Sequence, residues 1–257
     1  MAEKAKLIDL SKCTGCRGCQ LACKQWNQQP ARQTRNTGSY QNPPDLQWNT
    51  WTLIRFQEYE DKKGQLKWLF RKDGCMHCTD AACVKVCPSG ALSYSGIGSV
   101  DLNNDKCIGC KECVSACPFS IPRYDSMTDR IYKCTLCTDR IKADLPPACV
   151  RACPTGTLAV KKEYEDALSA YERAKELGGD ASVYGDQFVD GTHVIYVLPE
   201  KVDVYEKLPE NPSVPLSIIV WKDLLKPLSL LAAGGVLAGS FLHYIIHGPK
   251  TPDEDNQ

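Results

Sequence analysis

Sixteen cysteines fall into four groups of four, and whatever fold this chain takes must first satisfy those thiols. The first group is Cys13, Cys16, Cys19 and Cys23, a C-x2-C-x2-C-x3-C run. The second is Cys75, Cys78, Cys83 and Cys87, followed by Pro88. The third is Cys107, Cys110, Cys113 and Cys117, followed by Pro118. The fourth is Cys134, Cys137, Cys149 and Cys153, followed by Pro154. No cysteine is left over. A repeat of this kind outranks local propensity as a guide to architecture.

Three chemistries compete for such a pattern. Disulfide scaffolds are usually much shorter and proportionally richer in cysteine than these 257 residues. The first ten residues carry charges throughout and have no apolar core, so no Sec-type leader is expected. Structural zinc is the stronger rival, because paired CxxC knuckles make tetrahedral sites, and the fourth run read alone could be one. The first and third runs crowd four cysteines into eleven residues, which suits a [4Fe–4S] cube instead. Three closely spaced thiolates reach three iron corners, and the fourth reaches a neighbouring cluster. A proline after that fourth cysteine stops helix continuation at the ligand. Gly15, Gly18 and Gly109 let the backbone approach the sulfurs. The set as a whole therefore reads as sixteen iron ligands for four [4Fe–4S] clusters.

Four clusters need two reciprocal pairs of runs. Spacing alone permits runs two and three to pair inside runs one and four, or a sequential pairing of one with two and three with four. Short strands are expected at Val100–Leu102, 158–160 and Val194–Leu198, and helices beginning near Cys19, Ala81, Lys111 and Ala148. Residues 163–177 have helical periodicity and end at Gly178. Residues 48–56 alternate like a strand with 66–71 as hairpin partner, and 209–215 read as an extended linker.

Beyond the runs, RKDGCMHC (71–78), CPFSIPR (117–123), YKCTLCTDR (132–140) and PACVRACPTG (147–156) resemble the beta subunits of respiratory molybdenum or tungsten enzymes. With THVIYVL (192–198), LPENP (208–212) and an apolar tail ending HYIIHGP, the chain most resembles the iron–sulfur subunit of membrane-bound formate dehydrogenase. The likeness covers nearly the whole chain, although it starts closer to its first run than longer members do.

The resemblance implies an α+β fold of two bacterial-ferredoxin-like domains, one inserted in the other, plus a C-terminal transmembrane helix. Residues 1–72 and 130–200 would form the outer domain, 73–129 the inserted one, 201–226 a linker, 227–247 the helix and 248–257 a tail. It also implies a ligand set for each cube. One takes Cys13, Cys16, Cys19 and Cys153, and its neighbour Cys134, Cys137, Cys149 and Cys23. A third takes Cys75, Cys78, Cys83 and Cys117, and the fourth Cys107, Cys110, Cys113 and Cys87. The partners implied are a catalytic molybdopterin-type alpha subunit and a membrane cytochrome b gamma subunit. The same module could serve a hydrogenase or a nitrate, sulfoxide or polysulfide reductase. A zinc-bound interaction scaffold is the third reading.

Residues 228–246 contain no Asp, Glu, Lys or Arg. At helical rise they span roughly 29 Å, the thickness of a hydrocarbon core. Pro227 suits a first helical turn, Trp221 and Tyr244 suit the interfaces, and Lys222, Lys226 and Lys250 flank the span. Gly235 and Gly239 form a GxxxG that allows close helix packing. His243 and His247 project from one face and so cannot ligate opposite sides of one haem; an interfacial role is expected. Basic residues near the span weakly favour a cytoplasmic head. The resemblance instead implies a periplasmic head on a bacterial inner membrane, exported folded with its partner.

Net charge is zero, which gives no basis for nucleic-acid binding. No catalytic triad, phosphate loop or open metal site accompanies the cysteines, so the chain reads as a non-catalytic electron carrier. His77 is expected to be a loop residue rather than a ligand. Lys12, Arg17, Lys106, Lys111 and Arg151 near the runs are candidates for tuning cluster potentials, or else solvated surface charges.

Overall fold

The computed structural model describes residues 3–161, 164–220 and 225–248. Residues 1–214 form one unit and 215–257 another. In the first, β1 (Ala5–Asp9) enters run one, and α1 (Gly18–Trp26) carries its last two cysteines. A long excursion ends in the hairpin of β2 (Leu53–Glu60) and β3 (Leu66–Asp73). Run two holds α2 (Ala82–Lys85), followed by β4 (Leu92–Tyr94) and β5 (Val100–Leu102). Run three holds α3 (Glu112–Ala116), followed by β6 (Arg123–Asp125) and β7 (Arg130–Tyr132). Run four spans α4 (Thr138–Lys142) and α5 (Ala148–Arg151). Then come β8 (Leu158–Lys161), α6 (Ala170–Leu177), β9 (Ser182–Tyr184) and β10 (Val194–Leu198).

The main sheet runs β8-β1-β10-β9. β1 pairs antiparallel with β8 and parallel with β10, with Leu7 opposite both Ala159 and Ile195. β10 is buried along its whole length, which an inner strand covered on both faces requires. Alternation splits it: Ile195 and Val197 pack with Ala167, Ala170 and Ala174 under α6, whereas Val194, Tyr196 and Leu198 join Ile8, Ile54, Leu69 and Leu158 beneath the runs. α1 packs on α5, and α2 packs on α3.

The three short strands expected from the sequence are present, and four helices begin within a residue of their expected starts. The helix expected over 163–177 is a 3-10 turn at Glu165–Ser169 followed by α6, closed by Gly178 at φ 66°; Glu163 lies outside the described residues. The hairpin is shifted. Gln47 and Thr50 bond each other in a tight turn, so the strand begins at Leu53 and runs on to Glu60. Trp48 and Trp51 instead pack around Tyr132. The expected linker also starts too early, because Tyr205, Leu208 and Val214 are buried in the head.

The hairpin is anchored by charge. Arg55 lies directly opposite Arg71 in the β2–β3 register. Asp73 resolves that clash, 2.6 Å from Arg55 and 3.5 Å from Arg71. Asp45 adds contacts of 2.5 Å to Arg55 and 3.1 Å to Arg123.

In the second unit, α7 (Leu216–Ile219) precedes α8 (Lys226–His247). Residues Pro227–His247 are long and apolar enough to cross a membrane, with a mean hydropathy of 1.6. Trp221, Lys222, Lys250 and the 251–257 tail lie outside the described residues.

Asp73→Ala should cost about 3–5 kcal/mol, because it leaves the buried Arg71 without a carboxylate partner opposite Arg55, which keeps Asp45. Chemical denaturation of the purified chain checks this.

Candidate metal centres

All four runs share one backbone device. The residue before the second cysteine is left-handed in each: Gly15 (φ 65°), His77 (51°), Gly109 (68°) and Leu136 (58°). Glycine adopts this freely, whereas His77 and Leu136 bear roughly 1–2 kcal/mol each of strain. Both are fully buried, and packing offsets that strain. Gly109 also has no room for a side chain, since a Cβ there would lie 2.3 Å from Asp129 Oδ1.

These loops gather the thiols across runs. Cys13, Cys16, Cys19 and Cys153 line one cavity. Cys107, Cys110 and Cys113 line another together with Cys87. Cys78 feels the charges of Cys75, Cys117 and Cys83. Cys23 feels Cys134 and Cys149, and Cys137 feels the same two. Among the described residues, no three His, Cys, Asp or Glu side chains close on a single metal ion. Zinc needs sulfurs about 2.3 Å from one point. Fours of thiols framing a wider space fit a cube.

Burial favours the protonated form of eight of these thiols. It pushes Cys19, Cys23, Cys83 and Cys113 up to about 12, and Cys117 and Cys137 up to about 11. Three thiols, Cys87, Cys134 and Cys153, are lowered instead. Burial opposes ionisation of Cys87 and Cys153, but hydrogen bonds outweigh it and both are lowered. Those bonds come from the backbone of Ser89, Ala91 and Leu92 for Cys87, and of Thr155 and Leu158 for Cys153. Cys117 has similar donors in Phe119 and Ile121. The proline after each of these cysteines turns the chain so that the following N–H groups come back to the sulfur. Cys23 lacks that proline, α1 continues past it, and Asn27 Nδ2 lies 3.7 Å from its sulfur. Cys134 is also lowered: burial raises it, but Lys6, Lys72 and the Leu136 N–H prevail.

Of the basic residues singled out in the sequence, Arg17 lines the cavity of Cys13, Cys16, Cys19 and Cys153, and Lys111 that of Cys87, Cys107, Cys110 and Cys113. Lys12, Lys106, Lys111 and Arg151 are exposed, and Arg17 is half-buried over the Phe56 ring. Three further cations that reach the thiols, Lys6, Lys72 and Lys133, are all buried. Sequence reading missed them because an isolated lysine in or beside a short strand looks like a surface residue. His77 is, as expected, a loop residue; it is fully buried, and its Nδ1 accepts the Val100 N–H at 3.1 Å.

Loops of this geometry, with fours of thiols exchanged between runs, define a ferredoxin-type iron–sulfur protein. The 4Fe-4S dicluster domain family matches residues 12–91 and again 66–163, and two such domains hold four [4Fe–4S] clusters. The family described as "Formate dehydrogenase N, transmembrane" matches residues 214–257, so the chain carries a C-terminal membrane anchor. The chain is 43% identical to the formate dehydrogenase iron-sulfur subunit of Haemophilus influenzae, over 98% of this chain and 83% of the relative. It is 44% identical to the nitrate-inducible formate dehydrogenase iron-sulfur subunit of Escherichia coli, over 100% and 89%. It is likewise 44% identical to the formate dehydrogenase-O iron-sulfur subunit of that organism, over 98% and 86%. The chain belongs to the family of formate dehydrogenase iron–sulfur subunits. It is an electron-transfer subunit.

Gly109→Ala should lose one cluster, about four iron atoms per chain. Gly96→Ala, where a Cβ meets nothing within 4 Å, should keep full iron; iron analysis of the purified chains compares them.

Proposed function

We propose that this chain conducts electrons from a molybdopterin-type formate-oxidising subunit, through four cubes, to a cytochrome b partner in the membrane. The single observation that carries this reading is the gathering of cysteines from distant runs around common cavities, in a chain whose family is that of formate dehydrogenase iron–sulfur subunits. Each bound [4Fe–4S] group would supply one-electron storage and release.

The chain's own residues hold these groups and set their surroundings. Cys13, Cys16, Cys19 and Cys153 hold one, and Cys134, Cys137, Cys149 and Cys23 its neighbour. Cys75, Cys78, Cys83 and Cys117 hold the third, and Cys107, Cys110, Cys113 and Cys87 the fourth. The cavity linings, the charge neighbours and the packing of α1 on α5 and α2 on α3 support these sets. The N–H donors behind Cys87, Cys117 and Cys153 favour their thiolate forms.

In this reading residues 1–72 and 130–200 form one ferredoxin-like domain of α+β type and 73–129 a second inserted within it. The placement of β1 between β8 and β10 supports the insertion, because it joins the two ends of the outer domain across the inner one. The head faces the periplasm and α8 crosses the inner membrane once.

Wild-type protein should hold about sixteen iron and sixteen sulfide per chain. Cys23→Ser combined with Cys137→Ser should remove one cluster, about four irons, because both serve the same cube. Cys23→Ser combined with Cys19→Ser should remove two, about eight irons; the reverse pattern would refute the exchange between runs. Formate added to the isolated complex should reduce the clusters, whereas formate added to this chain alone should leave their spectra unchanged.

A further inference from the structure

Three lysines are anomalous in the head. Lys6, Lys72 and Lys133 are at most 2% exposed, although lysine is almost never fully buried without a partner. Lys133 Nζ donates to the carbonyls of Val100 and Cys134. Lys6 Nζ has no hydrogen-bond partner. Among the described residues, none of the three forms an ion pair with a carboxylate. The nearby buried acids are already engaged: Asp9 by Arg173, Asp73 by Arg55 and Arg71, and Glu200 by Lys67. A buried ammonium in that situation is strongly disfavoured unless another anion faces it.

The anions available are the cysteine sulfurs. Lys72 lines the cavity framed by Cys13, Cys16, Cys19 and Cys153, where it is the fully buried cation beside the half-buried Arg17. Its charge also reaches Cys149, Cys134 and Cys23, so it stands between the two thiol sets drawn from runs one and four. Lys6 reaches Cys134 and Cys137. Lys133 adjoins Cys134 and reaches Cys83 and Cys117, at the joint between the two halves of the head. His77 lies among all three, and burial together with their charges keeps it neutral. By contrast, among the described residues the one cation lining the cavity of Cys87, Cys107, Cys110 and Cys113 is Lys111, which is exposed.

We propose that these three buried ammonium groups are the counter-charge of the thiolate-ligated clusters, and that Lys72 raises the reduction potential of the two clusters held by runs one and four. The inference rests on the reading of the sixteen cysteines as ligands of four cubes. A cube gains negative charge on reduction, so a fixed positive charge beside it favours the reduced form. Lys72 is a positioning charge and binds no iron itself.

The test is an EPR-monitored redox titration of the purified complex, with iron counted in the same samples. Lys72→Met should retain full iron and move two of the four one-electron components to more negative potential, by at least a tenfold change in the reduction equilibrium, which is 59 mV. Lys72→Arg, which keeps the charge, should return both components to the wild-type position. The exposed Lys106→Met should move none, and a shift equal to that of Lys72→Met would overturn the role of burial. Full iron with unmoved components in Lys72→Met would overturn the inference while leaving the ligand reading intact. If Lys72→Met does not retain iron, full iron with wild-type midpoints in Lys72→Arg supports the charge; iron loss in both overturns it. Wild-type complex lacking cubane signals would instead refute the ligand reading beneath the inference.

Discussion

A thiolate taken out of water needs a cation, and most of the cysteines in this head are buried or half-buried. Burial lifts several of those thiols to about 11 or 12, where they keep their protons. Iron displaces those protons and becomes the anchor of the surrounding structure, so metal binding and folding share one free energy. The left-handed residue before the second cysteine of each run, the N–H groups behind the Cys-Pro pairs and the buried lysines all ease the accommodation of negative sulfur.

That constraint also explains the path of the chain. The proposed ligand set of Cys13, Cys16, Cys19 and Cys153 would close a loop of more than a hundred residues, and loop-closure entropy grows only slowly with length. The cost is shared with the sheet. β1 is clamped between β8 and β10, and its register with both strands sets run one beside run four before any metal is considered. The hairpin of β2 and β3 then covers run one: a side chain at Gly15 would meet Phe56 and Phe70 at 3.0 Å. Its far strand delivers Lys72 to the cysteines. The long excursion between runs one and two therefore belongs to the metal sites as much as the loops do.

The parts legible in the sequence were those with strict spacing. The cysteine runs, the glycine turns at Gly15 and Gly109, the three short strands and the apolar span each follow from a local pattern. The parts that were not legible depend on tertiary placement. Leu136 and His77 occupy left-handed positions that composition does not announce. The first strand of the hairpin begins at Leu53 rather than residue 48 because a turn between Gln47 and Thr50 intervenes. Tyr205 and Leu208, in a stretch that reads as linker, are drawn into the core beside Leu198. Lys6, Lys72 and Lys133 were invisible because lysine is read by default as solvated. Only the fold shows that these three face sulfur.

The second unit answers a different solvent. α8 exposes Leu230, Leu231, Val236, Leu237, Phe241, Leu242, Ile245 and Ile246, a surface that water would penalise heavily and lipid would accept. Its backbone bonds are satisfied within the helix, the condition for crossing a bilayer. The rings of His243 and His247 stack at 4.3 Å, and His247 Nδ1 lies 3.2 Å from the His243 carbonyl oxygen, so both occupy one face. A haem held between them would need two ligands on opposite sides, which this arrangement denies. This agrees with the proposal that electrons leaving the head pass to a redox group held by another polypeptide.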